Sequence, residues 1–190
     1  MVSDSAALAE ALLASFRHNF RSYKALADKA LAQLSPTEWL HVPAPESNSI
    51  AVIVQHLVGN LRSRFTDFLT TDGEKPTRQR DQEFVEPASA EALASLQAQW
   101  DPAWAILFDL LATLQPADLL RTVTIRGEAH TVLTAVQRQV THYAYHVGQI
   151  VQLAKQQRGT AWQNLSVPRA QSEQFTSQMR GAQPASNAVV

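Results

Sequence analysis

Four stretches of apolar residues at helical spacing, each broken off by proline, glycine or a short polar run, constrain this chain more than any other feature. From Ser5 to Leu34, the residues Leu8, Leu12, Phe16, Phe20, Leu26 and Leu31 recur at intervals near three, four and five with alanine between them, the pattern of an amphipathic helix ended by Ser35-Pro36. After Pro43 and Pro45, the run Ser47-Asn48-Ser49 offers side-chain acceptors for the free N–H groups of a helix start. Ile50, Ile53, Val54, Leu57, Leu61, Phe65, Phe68 and Leu69 then form the buried stripe of a second helix, closed at Asp72-Gly73. A third helix starts near Ser89, with Glu91 in its first turn, and turns Leu93, Leu96, Trp100, Trp104, Ile106, Leu107, Phe108 and Leu111 inward. Asp101-Pro102 predicts a kink or restart in it, because proline lacks the N–H its turn would use. Leu133, Val136, Val140, Tyr143, Val147, Ile150, Val151 and Ala154 mark a fourth helix from Val132 to about Gln157, stopped by Gly159.

The connections carry their own signals. Glu74 to Pro87 alternates charge with proline and reads as a surface connection, while Thr122-Val123-Thr124-Ile125 before Arg126-Gly127-Glu128 reads as a short strand and tight turn. Four helices with one long connection between the second and third predict an all-α four-helix bundle over residues 1–170. Residues 171–190, with Gly181 and Pro184 among polar residues, read as an extended tail with a disordered end.

With 45% hydrophobic and 17% charged residues, 190 residues suffice for one well-buried core. Lys and Arg total 16 against 17 for Asp and Glu with no run of one sign, which argues against nucleic acid or an acidic membrane as partner and for a small molecule or another copy of the chain. No run approaches the roughly 18 apolar residues of a membrane-spanning helix, and Asp4 and Glu10 fit a helix start better than a secretory signal. The absence of cysteine excludes disulfides and thiolate metal sites and fits a reducing cytoplasm. Any metal must use His, Asp or Glu.

The strongest chemical signal is His142-Tyr143-Ala144-Tyr145-His146, because side chains four apart on a helix point the same way and can share one ion. His56, in the middle of the second helix, supplies a third candidate nitrogen if the two helices are neighbours. On spacing alone, hydrogen-bonded core histidines are the commoner reading, by roughly three to one. His18 reads as a helix-surface residue, and His41 and His130 as loop residues.

His56-Leu57-Val58-Gly59-Asn60 and His142-Tyr143-Ala144-Tyr145-His146-Val147-Gly148-Gln149 resemble the histidine motifs of the DinB/YfiT-like superfamily. The run from Arg62-Ser63-Arg64-Phe65 to Arg80-Asp81-Gln82-Glu83-Phe84, with the tail Leu165-Ser166-Val167-Pro168-Arg169, resembles a branch of it without an assigned reaction. The resemblance implies a DinB-like four-helix bundle, commonly a homodimer, in which His56, His142 and His146 hold zinc, nickel or another divalent ion in a pocket open at one end. It also implies a choice of chemistries: transfer of a low-molecular-weight thiol such as bacillithiol to an electrophile, metal-dependent hydrolysis, or a non-catalytic metal-binding role in stress response or scaffolding.

No catalytic acid or base stands out in the motif cores. Asn60 and Gln149 lie one turn beyond His56 and His146, placed either to orient an imidazole or substrate or to make an interhelical hydrogen bond. Arg62 and Arg64, with Arg78, Arg80, Asp81 and Glu83, read either as a salt-bridged cap able to grip a substrate carboxylate or as a solvated charged surface. Gly148 is expected to allow close helix approach. Of Tyr143 and Tyr145, one is expected to reach substrate and the other to pack. Trp100, Trp104 and Phe108 read as core or dimer contact.

Overall fold

The computed structural model describes residues 4–182 and is mostly helical. The disordered end expected for the tail lies outside the described residues. Six helices, α1 (Asp4–Leu31), α2 (Pro36–Trp39), α3 (Ile50–Phe65), α4 (Ala90–Thr113), α5 (Val132–Arg158) and α6 (Ser172–Ala182), accompany one hairpin of β1 (Thr122–Ile125) and β2 (Glu128–Thr131). No helix among the described residues is long and apolar enough to cross a membrane.

Local chemistry sets most boundaries. Ser49, Ser89 and Thr131 cap α3, α4 and α5, each side-chain oxygen accepting from the backbone N–H three residues on, and Gly159 ends α5 at φ +51°. Arg126 (φ +56°) and Gly127 (φ +78°) make the tight turn of the hairpin, which pairs Ile125 with Glu128.

Five local expectations need correction. α1 ends at Leu31, and Ser35 instead caps the single turn of α2, where its hydroxyl accepts from the Glu38 N–H and the Glu38 carboxylate accepts from the Ser35 N–H at 2.7 Å. Leu8 in α1 is exposed, and Leu13 takes a core position on that helix. α3 stops at Phe65, because Asp67 adopts φ +49° and turns the chain so that its carbonyl accepts the N–H groups of Thr70 and Thr71 at 3.0 Å. α4 continues through Pro102 without restarting; Pro102 and Ala98 are both exposed, so the carbonyl that loses its partner can bond water. The tail is helical over α6 rather than extended.

The four long helices share one core. α1 packs along α5 and α4, and α3 packs along α4 and α5. At the centre, the fully buried ring of Tyr143 on α5 meets Phe20 of α1 at 5.7 Å, Trp104 of α4 at 5.3 Å and Phe65 of α3 at 6.5 Å between centroids. Trp104 also contacts Trp100 and Phe108, so the aromatic stripe of α4 belongs to the core. With Tyr143 fixed inward, its neighbour His142 faces the gap between α5 and α3.

The segment between α3 and α4 departs furthest from a surface connection. Its 3-10 turn, Arg80–Phe84, lies against α3, where Gln55 Nε2 donates to the carbonyls of Gln82 (2.8 Å) and Val85 (3.0 Å). Asp72 ties the start of this segment to the hairpin, accepting the N–H groups of Glu74 (2.7 Å), Arg126 (2.9 Å) and Gly127 (2.8 Å). Those three backbone donors hold its carboxyl below the usual range.

Candidate metal centre

α3 and α5 bring His56, His142 and His146 together, with one ring nitrogen of each lying within 4.8 Å of the others. His56 is buried and the other two are half-buried. The Nε2 atoms of His56 and His142 are 3.2 Å apart. A tetrahedral ion with metal–nitrogen bonds of about 2.0–2.1 Å would hold two ligand nitrogens roughly 3.3 Å apart, so the spacing suits a shared cation.

Two imidazoles have their outward nitrogens engaged. Glu83 Oε2 lies 2.9 Å from Nδ1 of His56; an ionised carboxylate can only accept, so that nitrogen carries the hydrogen and Nε2 presents its lone pair. Gln149 Oε1 accepts from Nδ1 of His146 at 2.8 Å, leaving Nε2 of that ring free. Burial pushes His142 down to about 3, helped by the neighbouring His146 and His56. Burial likewise pushes His146 down to about 4, against the bond to Gln149, which favours the charged form. Both rings are therefore neutral at pH 7, the form in which an imidazole ligates.

Glu83 is the residue that sequence reasoning missed as a partner of the histidines. Burial opposes its ionisation, but hydrogen bonds from Arg78 and His56 hold its carboxyl below the ordinary value. Arg78 grips it with two bonds, Nε to Oε1 at 2.7 Å and Nη2 to Oε2 at 2.8 Å, and also reaches Glu74 at 3.3 Å. Gly59 makes this approach possible: a Cβ on it would lie 2.1 Å from Glu83 Oε1. Gly148, expected to serve close packing, has nothing within 4 Å of where its Cβ would be.

The histidines open onto a cavity of about 590 Å³. His56, Asn60 and Arg64, four residues apart along α3, line one wall, and Gln139, His142, Tyr145 and His146 of α5 line another. Asn60 faces the cavity, and its Oδ1 accepts the Tyr143 hydroxyl at 2.8 Å, so here the interhelical bond is present. Gln149 acts on an imidazole, as described. Arg62 faces elsewhere: it lines a larger cavity of about 870 Å³ on another face of α3, which holds none of the histidines, and donates to Gln99 at 2.8 Å. Six residues from His56 is the wrong helical phase; eight is the right one, and Arg64 stands there. Tyr145 is 52% exposed at the cavity and Tyr143 packs in the core. His18 and His41 are exposed, while His130 lies in β2 rather than in a loop.

A family model described as "Protein of unknown function (DUF1572)" matches residues 7–171, and the chain belongs to that family. No curated protein matches it. No solved structure matches it.

Proposed function

We propose that this protein is a DinB-like four-helix bundle that binds one divalent cation, zinc or nickel, through His56, His142 and His146, and that it acts as a metal-dependent enzyme on a small molecule. The observation that carries this reading is the convergence of three imidazole nitrogens within 4.8 Å, with Glu83 and Gln149 holding two of the rings from behind. The cavity beside them favours an enzyme over a scaffold, since a purely structural ion needs no adjoining space for a ligand.

Within that reading, we favour thiol S-transfer of the bacillithiol-transferase type: the thiol S–H bond breaks and its proton goes to solvent, a new bond forms from sulfur to an electrophilic carbon of the substrate, and the leaving group on that carbon departs with the electron pair of the broken bond. A bound cation would lower the pKa of the thiol or of water and stabilise its anion. Among the described residues no Asp or Glu lines the cavity, and the buried carboxylate of Glu83 is committed to His56 and Arg78. A thiol brings its own nucleophile and needs no carboxylate base, whereas the hydrolase alternative gains most from one. The side chains present would exclude bulk water, position His56 through Glu83, and hold substrate against the α3 and α5 walls.

Elemental analysis of protein loaded with zinc or nickel should find one ion per chain, lost in His142→Ala. Loaded protein should then accelerate the reaction of bacillithiol, glutathione or mycothiol with a generic electrophile, dependent on His56. A trace metal content unaffected by His142→Ala would sink the site. Metal uptake without thiol turnover, but with ester or amide cleavage, would replace the transferase with the hydrolase.

A further inference from the structure

Folding normally leaves buried charges paired and buried polar atoms bonded. Around the histidine cavity that rule is broken at one level below the histidines themselves. Arg64 is 4% exposed, yet its Nε and Nη1 have no partner, and its contact with a carboxylate is a stretched one, Nη2 to Glu74 Oε2 at 3.6 Å. Glu74 is shared with Arg78 and Arg126, at 3.3 and 3.2 Å, so little of its charge is left for Arg64. Gln139, 2% exposed on the facing helix, buries its Oε1 without a partner as well.

The cavity is also one-sided in charge. Arg64, Arg78, Arg80, Arg126 and Arg138 line it, and among the described residues no carboxylate does. Arg78 is neutralised by Glu83 and Glu74, but among the described residues Arg80 meets only the Phe84 ring, 5.3 Å from its guanidinium carbon, and Arg138 is exposed with no ion pair. A divalent cation at the histidines would add to the same sign.

We propose that this cavity takes a small molecule bearing an oxyanion, a carboxylate or a phosphate group, anchored by Arg64 and flanked by Arg138 at the rim. This deepens the metal-enzyme reading above and rests on it for the reacting end of the molecule. Arg64 follows His56 by eight residues, about 12 Å of helix rise, so the oxyanion is held apart from the histidine end. Its unpartnered Nε and Nη1 supply charged donors for the oxygens of either group. Gln139 Oε1 leaves room for a donor on the same molecule, a hydroxyl or an amine.

The test is calorimetric titration of the full-length, zinc- or nickel-loaded chain at constant ionic strength with butyrate, with inorganic phosphate, and with butyramide as the uncharged match to butyrate. Butyrate or phosphate should bind and butyramide should not; whichever anion binds tighter names the group. Arg64→Met should weaken the anion roughly tenfold or more, Arg64→Lys should recover part of that loss, and exposed Arg180→Met should change nothing. Arg138→Gln, an exposed position, should weaken it about threefold and carries the test if Arg64→Met does not fold. Equal anion affinity in folded wild type, Arg64→Met and Arg138→Gln overturns the proposal, as does the absence of anion binding to metal-loaded wild type, which leaves the metal reading standing. Arg64-dependent anion binding in a chain that takes up no metal upholds the oxyanion site and retires the metal reading.

Discussion

Tyr143 and His142 are neighbours on α5, yet they face two regions built on opposite rules. On the Tyr143 side, one ring from each of the four long helices packs edge or face against the next, and Trp104 Nε1 is the polar atom left without a partner. On the His142 side, Arg64, Gln139 and His142 itself bury four unpartnered polar atoms across two facing walls of one cavity. The first region is saturated and holds the fold. The second is unsaturated, and groups kept dry without partners are the ones a ligand can satisfy.

The comparison breaks most sharply under substitution. Trp104→Ala should cost about 3–5 kcal/mol of stability by opening a cavity against Tyr143, measured by urea unfolding. His142→Ala should instead reduce metal affinity by at least 100-fold, roughly 2.7 kcal/mol, with little change in the urea midpoint. If Trp104→Ala proves harmless or His142→Ala unfolds the chain, the division of labour is wrong.

Glu83→Gln should weaken metal binding about 10- to 100-fold, because a neutral amide replaces the charged acceptor that fixes the His56 ring and that Arg78 grips. Gly59→Ala should approach the same loss by a separate route, since the added methyl displaces the Glu83 carboxylate. A competition assay with a chromogenic chelator reads both. Unchanged affinity in the two would show that Glu83 serves the fold alone. On the saturated side, Tyr143→Phe should cost about 1 kcal/mol, the worth of its bond to Asn60.

The smallest effect expected is a slope with pH. His142 and His146 titrate lower in the folded chain than the ordinary 6.5, so an unfolded chain takes up protons first as pH falls. Their contribution is full above pH 6.5 and is lost as pH falls toward about 4 and then 3. The melting temperature of metal-stripped protein should decline across that window, and less steeply in His142→Leu. An unaltered slope would mean other groups govern acid stability.

Much of the architecture was readable from local chemistry. The caps at Ser49 and Ser89, the stop at Gly159, the hairpin turn at Arg126-Gly127 and the phase shared by His142 and His146 all depend on a few adjacent residues. What was not readable depends on distant partners. Glu83 lies in a charged, proline-bearing stretch indistinguishable from solvated surface until Arg78 and His56 close on it. Pro102 was tolerated because of the face it occupies, and the early end of α3 follows from the backbone of Asp67, which apolar spacing does not report. Arg62 and Arg64 look alike in sequence, and helical phase from His56 separates them: Arg64 lines the histidine cavity and Arg62 lines another.

The distance in sequence between His56 and His142, 86 residues, has a consequence for when the three imidazoles can meet. A ribosome must release the first half of α5 before His142 and His146 exist beside His56, and α5 must dock on α3 before the three converge. Until that docking, the imidazole of His56 is separate from the other two. On the proposed function, metal capture would be tied to the docking of α5 on α3, and a chain that fails to dock them would lack the set of three nitrogens.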